Sequence, residues 1–401
     1  GNGMVGMGWQ LSGLSYIART QYGNGIHLNA NDTFVQSDIG ILVKQSDGSY
    51  HSKDESFSKC YPSDTSGNPA SWTCKSRNGG RTVYGQRVGS RKWLLTQVSN
   101  SHGLSYTVSY TCPGGTCYPS VITYTKNAGA ASYRTVSFSY EGRTDNAMDT
   151  DGGLSVRLTQ RLKWISVRSA GALVRKYRLD YQYGSATGRS RLIAVQEYGS
   201  NGTSTLPAQT FAWQEGGSGR FGNAIGWSDA RNFNGWKFGG IGDFNGDGKS
   251  DMMLYYNDAS SWRANVALGD GPSPDLMTTV RNGLGSTTTV TYKPATQVAN
   301  AILPARTVCS NANASPRQLV TKVTTTDGRG KTYSASFSYY NGRTYPGKIP
   351  DQANLGFEWT KQKDDNSGAY TLTHYRQDKP FEGREARSLS YAGSGALMSQ
   401  T

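Results

Sequence analysis

The chain has little of what builds a membrane span, a long helix or a charged tail. Only 35% of its 401 residues are hydrophobic, and no run approaches the roughly 18 apolar residues of a spanning helix. Charged residues make up 17%, too few for a charge-rich disordered chain or a coiled coil. The four histidines, His27, His51, His102 and His374, all lie away from the cysteines and from each other, so no common zinc spacing is present. There is no Gly-x-Ser-x-Gly, no His-Glu-x-x-His and no dinucleotide fingerprint after a strand. No signal peptide opens the chain, as expected of a mature protein or an excised piece of one. What the chain does have is 50 glycines and 25 tyrosines. Abundant glycine beside aromatic and β-branched residues is the composition of many short strands joined by tight turns. The expected class is all-β.

Lysine and arginine number 42 against 28 acids, a net charge of +14. The basic residues are scattered along strand-like stretches, as in Arg175, Lys176 and Arg178. They therefore read as dispersed solvent-facing cations that discourage edge aggregation, and not as a specific nucleic-acid site. Cys112 and Cys117 bracket a Pro-Gly-Gly-Thr turn, while Cys60 and Cys74 enclose a polar loop. Two disulfides in an oxidising compartment are expected, with Cys309 left over.

Hydrophobicity alternates with period two. In Leu104–Tyr110 and Arg134–Tyr140 large residues alternate with small polar ones, the pattern of strands with one buried face. A loose repeat follows: Gly103, Gly285 and Gly368 each precede a tyrosine (Tyr110, Tyr292, Tyr375) by seven residues, and Gly330 stands so to Phe337. The unit is a turn plus a strand, repeated into an extended twisted antiparallel sheet. Residues 52–82 read as a disulfide-bound loop and residues 215–235 as a flexible joint. The expected domains are 1–214, 215–275 and 276–401.

The sharpest motif is Gly242–Asp251, where oxygen side chains recur at Asp243, Asn245, Asp247 and Asp251. With the backbone carbonyl of Lys249 they form a hard-oxygen set that suits a structural calcium ion. The twelfth loop position holds Leu254 instead of the bidentate glutamate of an EF-hand, so a strand follows and not a helix. Gly248-Lys249-Ser250 ends like a phosphate loop, but Asp243 stands where that loop needs glycine, and nearby carboxylates repel phosphate. Trp164, Trp213, Trp227, Trp236, Trp262 and Trp359 read first as core and second as rings that stack on sugars.

Several segments resemble a known family. Gly3–Gly13, Tyr177–Tyr181 through Gly188–Leu192, Thr210–Gln214, Asn282–Tyr292 and Leu355–Phe357 are similar, in order, to a region shared by three groups. These are the Salmonella plasmid virulence protein B family, the B components of insecticidal toxin complexes, and related RHS/YD-repeat proteins. The aspartate loop resembles their FG-GAP/VCBS blades. The resemblance implies a secreted or surface-delivered bacterial β-protein whose YD-type strands form a shell fragment, with one calcium-loop insertion. It implies partners among other segments or subunits of the same exported assembly. Only one blade-like repeat, about residues 232–270, is found, where a propeller needs several. No Glu-x-Glu pair occurs, so the ADP-ribosyltransferase activity of some relatives does not carry over. The leading reading is a non-enzymatic structural module of an exported toxin, virulence or surface protein. An adhesin or lectin-like module for anionic glycans or a cell surface is the alternative. A glycoside hydrolase comes third, needing two carboxylates about 5–10 Å apart in one cleft.

Overall fold

The computed structural model describes residues 2–20, 25–126, 133–146, 148–151, 154–217, 221–226, 235–257, 262–299, 301, 318–345, 353–378 and 381–401. Among the described residues the helical content is two short 3-10 turns, Pro113–Gly115 and Ala295–Gln297. The rest is strand and turn, as the composition requires. The chain divides into two compact units, Gly1–Gln182 with Arg189–Ala208 and Tyr183–Gly188 with Gln209–Thr401. This division departs from the expected three domains: the segment 215–275 is counted within the second unit.

The first unit opens with eight antiparallel strands. They are β1 (Tyr16–Thr20), β2 (Thr33–Gln36), β3 (Gly40–Lys44), β4 (Tyr50–Ser52), β5 (Ser58–Pro62), β6 (Trp72–Ser76), β7 (Arg81–Val88) and β8 (Lys92–Ser99). Each pairs with the next, and Lys92–Leu94 of β8 pairs with Tyr16–Ala18 of β1, which closes a barrel. Closure leaves no unpaired edge in this part of the chain. Its interior is aromatic. Phe34 lies 4.9 Å from Trp72 and 5.8 Å from Trp93, in edge-on arrangements, and Tyr50 lies 5.0 Å from Trp72.

The disulfide-bound loop expected at 52–82 is corrected here. Much of it is barrel strand, and Cys60 and Cys74 are cross-strand partners on β5 and β6, joined by a disulfide and buried in the core. The polar residues between them form only the hairpin loop. The misreading has a physical cause: Cys60, Trp72 and Cys74 face inward, and short strands with polar outer faces look like loop.

A buried ion pair lies inside this unit. Arg19 and Asp32 pair at 2.6 Å with both side chains fully shielded from solvent. The guanidinium also donates to the carbonyls of Ser90 and Asn29, at 2.7 and 3.1 Å, and to that of Gly67. Its carbon sits 5.0 Å from the Phe34 ring and 5.6 Å from that of Trp93. Burial pushes the Asp32 carboxyl up, but the backbone N–H groups of His27 and Leu28 together with Arg19 hold it below the usual aspartate value. A buried charge without such partners would cost several kcal/mol, on the order of 3–5.

β8 continues past the barrel, and Gln97–Ser99 starts a sheet with β9 (Ser105–Thr111). The sheet runs on through β10 (Tyr118–Lys126), β11 (Arg134–Gly142), β12 (Gln160–Ser169) and β13 (Ala172–Tyr183). β14 (Ser190–Tyr198) also lies in this unit. The second unit begins at β15 (Gln209–Trp213). A separate sheet follows, of β16 (Phe221–Gly226), β17 (Lys237–Gly242), β18 (Asp251–Asn257) and β19 (Trp262–Gly269), in the order β16-β19-β18-β17. The flexible joint expected over 215–235 thus contains a paired strand, β16. The main sheet then resumes from β15 to β20 (Met277–Arg281), β21 (Thr287–Pro294), β22 (Gln318–Thr326), β23 (Thr332–Tyr340), β24 (Trp359–Asp364), β25 (Tyr370–Tyr375), β26 (Glu385–Tyr391) and β27 (Leu397–Gln400).

A shared device runs through both sheets. Five of the bulges in these strands have as extra residues Thr96, Ser120, Lys163, Thr278 and Thr321. In each of these five the carbonyl just before the extra residue accepts a tyrosine hydroxyl from the next strand. Tyr110 donates to Leu95 at 2.8 Å, Tyr140 to Pro119 at 2.7 Å and Tyr181 to Leu162 at 2.7 Å. Tyr292 donates to Met277 at 2.9 Å and Tyr339 to Val320 at 2.7 Å. A bulge interrupts the ladder, and a buried carbonyl without a donor is costly. Burial pushes all five hydroxyls above the ordinary tyrosine range, so they remain donors. Replacing Tyr140 by Phe, which orphans the Pro119 carbonyl, is expected to cost about 1–3 kcal/mol in urea unfolding. Tyr333, which is exposed, should tolerate the same change. Equal effects at the two positions would refute the role assigned to the hydroxyl.

Candidate functional site

The aspartate loop joins β17 to β18. Gly246 and Gly248 have φ of 73° and 83°, the left-handed region that glycine enters without strain. Between them the chain folds back on its own carboxylates. Asp243 accepts the N–H groups of Gly246 (2.7 Å), Asp247 (3.1 Å) and Gly248 (2.8 Å). Asn245 accepts from the Asp247 N–H at 2.9 Å and donates to the Asp247 carboxylate at 3.1 Å. Asp251 is fully buried and bridges the loop to its sheet, accepting from Phe244 and from Gly269, both at 2.8 Å.

Lys249, expected to offer its backbone carbonyl, also engages the loop through its side chain: its ammonium lies 3.1 Å from the Asp247 carboxylate and donates to the carbonyls of Gly269 (2.6 Å) and Gly271 (2.7 Å). Gln318, on β22, adds a bond to the Asp247 carbonyl at 2.7 Å, and Thr296 one to that of Gly246 at 2.8 Å. Neither contact is visible in the sequence, because the donors come from far along the chain. Among the described residues no three acidic, histidine or cysteine side chains converge on a common point. Asp243, Asn245, Asp247 and Asp251 are thus brought into one loop, with their oxygens turned toward backbone amides.

The other expected residues fall as follows. Cys112 and Cys117 form a disulfide across the Pro113–Gly115 turn. Cys309 and Trp227 lie outside the described residues. Trp262 is 64% exposed, Trp164 stands beside Tyr198 with Lys176 over both rings, and Trp359 stacks on Tyr340. The tryptophans that do fill a core are Trp72 and Trp93 of the barrel.

Two cavities of ligand size lie in the first unit. One, of about 460 Å³, has walls that include Met4, Leu11, Leu14, Leu94 and Leu158, with Cys117 among its lining. The other, of about 310 Å³, is lined by Gln36, Asp38, Tyr84 and Tyr106 among others. A glycosidase cleft needs two facing carboxylates; the first cavity has none in its wall and the second has Asp38 alone.

The two disulfides differ in access. Cys60 is fully buried and Cys74 nearly so, whereas Cys112 sits on an exposed turn. Exchange needs a thiolate to reach a sulfur. A dithiol titration read by alkylation and mass mapping should therefore label Cys112 and Cys117 well before Cys60 and Cys74. Simultaneous labelling would contradict the burial difference.

Comparison with known proteins gives the following. The family model described as the middle/N-terminal region of the insecticide toxin TcdB matches residues 240–383. No curated protein matches the chain. Among solved structures, the crystal structure of TcdB2-TccC3-Cdc42 is similar with a TM-score of 0.69 at 11% identity, over 98% of this chain and 38% of that one. The Photorhabdus luminescens Tc holotoxin pore is similar at 0.66 and 11% identity, again over 98% and 38%. The N-terminal domain of the effector SpvB from Salmonella typhimurium strain LT2 aligns over 50% of this chain and 90% of its own, at 17% identity and a TM-score of 0.42. The chain therefore spans under two-fifths of the length of the toxin chains it resembles. At these identities the likeness establishes the fold: the all-β architecture of this chain is that of a region within Tc toxin components.

Proposed function

We propose that the chain is a non-enzymatic, structural β-sheet module of an exported bacterial toxin assembly, whose partners are other segments or subunits of that assembly. The observation that carries this reading is a fold likeness, over 98% of this chain, to a region of Tc toxin chains, joined to the TcdB family match over 240–383. Two features of the molecule agree with it. Disulfides suit an oxidising compartment, and no helix among the described residues is long and apolar enough to cross a membrane. An epitope-tagged gene in the native bacterium tests the reading. The tag should be recovered outside the cell in an assembly several times the 43.4 kDa of this chain. A free monomer, or a tag confined to the cell, would overturn it.

Calcium belongs to the same reading. We infer that Asp243, Asn245, Asp247, Asp251 and the Lys249 carbonyl take a calcium ion, and that the Lys249 ammonium is its competitor. The donors are hard oxygens, and each carboxylate oxygen that accepts one N–H keeps further lone-pair capacity. The ammonium already supplies positive charge at Asp247, so an ion would displace it. Calcium should raise the melting temperature relative to chelator. Asp247→Ala should abolish the difference, and Lys249→Met should enlarge it. An unchanged melt in the wild-type chain would remove calcium from this loop.

A further inference from the structure

The positive charge that looks dispersed along the sequence gathers on one face of the second unit's main sheet. Register fixes that face, because alternate residues of a strand point the same way and directly paired residues share a side. Lys322 on β22 pairs with Ser336 on β23, Ser336 with Lys363 on β24, Lys363 with Tyr370 on β25, and Tyr370 with Tyr391 on β26. A parallel row runs Tyr340, Trp359, His374, Arg387. Lys361 stands between the rows on β24, paired with Ser338 and Leu372. Lys322, Ser338, Lys363 and Arg387 are exposed. With strands about 4.8 Å apart, Lys322 and Lys363 rise from backbones about 10 Å apart.

Among the described residues one acid pairs with a cation of this face. Asp365 comes from the turn after β24 and is committed to Lys322 at 3.4 Å and to the hydroxyls of Ser334 and Ser336. Asp364 faces away, accepting the N–H groups of Asn366 and Ser367 in its own turn. Glu385 stands at the edge, at the start of β26, and Glu358, which accepts from the Asn341 side chain at 2.7 Å, acts on His374. Burial and the neighbouring Arg387 hold His374 below its usual value.

The rings on this face are occupied. Tyr340 and Trp359 stack at 5.1 Å, and Tyr370 and Tyr391 at 4.6 Å. The Lys361 ammonium sits 3.7 Å above the Tyr370 ring. Single-stranded nucleic acid needs open ring faces on which bases stack, and these rings spend their faces on one another and on lysine. Beside them the cations stand in rows set by the register, with serine hydroxyls between.

We propose that this face binds a sulfated polysaccharide. Its repeated sulfates match rows of cations, and its hydroxyls match the serines; the recognition is by charge, over an open sheet face and not in a cleft. Labelled heparin oligosaccharide is the probe, read by fluorescence polarisation at about 0.15 M ionic strength. The variant Lys361→Gln/Lys363→Gln/Arg387→Gln should weaken binding about tenfold, a loss of about 1.4 kcal/mol. The control Lys75→Gln/Arg77→Gln/Arg81→Gln removes the same charge from the barrel and should change affinity less than about twofold. An unchanged circular-dichroism melt keeps both variants comparable. Equal weakening by the two variants would reduce the effect to net charge and overturn the site. Duplex DNA or poly-glutamate competing as well as heparin would overturn the ligand class.

Discussion

A long antiparallel sheet must break its own ladder to bend, and each break leaves a buried carbonyl in need of a donor. In this protein tyrosine meets that need at five bulges. Five hydroxyls from three strands of one unit and two of the other reach the carbonyl before the bulged residue there. The same side chains supply ring area to a chain in which only 35% of residues are hydrophobic. Phenylalanine would supply the ring without the donor, which gives a reason why tyrosines number 25 and phenylalanines 11. The sheet can therefore bend without exposing its packed face.

The turns show how much of this was legible. Asn100, Asn282 and Asp327 each accept the N–H groups two and four residues on. The glycine three residues on, Gly103, Gly285 and Gly330, has φ of 78°, 99° and 94°. These contacts are local, so glycine spacing together with the alternating strand after it revealed the unit, and the seven residues to Tyr110 and Tyr292 run from the turn to a bulge-bonding tyrosine. The spacing misleads at Phe337, which has no hydroxyl; Tyr339, two residues later on the same face, makes the bond. Tyr375 keeps the spacing but meets the Thr360 hydroxyl at 3.2 Å instead.

The barrel was not legible because almost everything that defines it is distant in sequence. β4 has three residues and β2 four, too short to show alternation. Closure depends on β8 finding β1. Arg19 is a plain surface cation by residue type, yet Asp32 and backbone carbonyls from three loops hold it inside. Cysteine pairing was readable and its meaning was not: Cys60–Cys74 joins neighbouring strands within a core, where a stapled loop had been expected.

The aspartate loop and the basic face differ in the same way. Oxygen ligands at alternate positions are a local pattern, so Asp243–Asp251 stood out, while the Lys249 ammonium reaching Gly269 and Gly271 depends on a strand returning alongside. Lys322, Lys363 and Arg387 are separated by dozens of residues, or by twenty or so, and become neighbours only through register. The first unit shows that cations need not gather unneutralised. There Lys163 lies between Glu141 and Asp180, Arg178 meets Asp180, and Arg175 faces Glu197. On β22–β26 Lys322 meets Asp365, and the Lys361 ammonium sits over the Tyr370 ring. Repulsion among like charges is a standing cost to the folded state. An arrangement that keeps that cost on one face, while balancing it on another, is what a surface built for a polyanion requires.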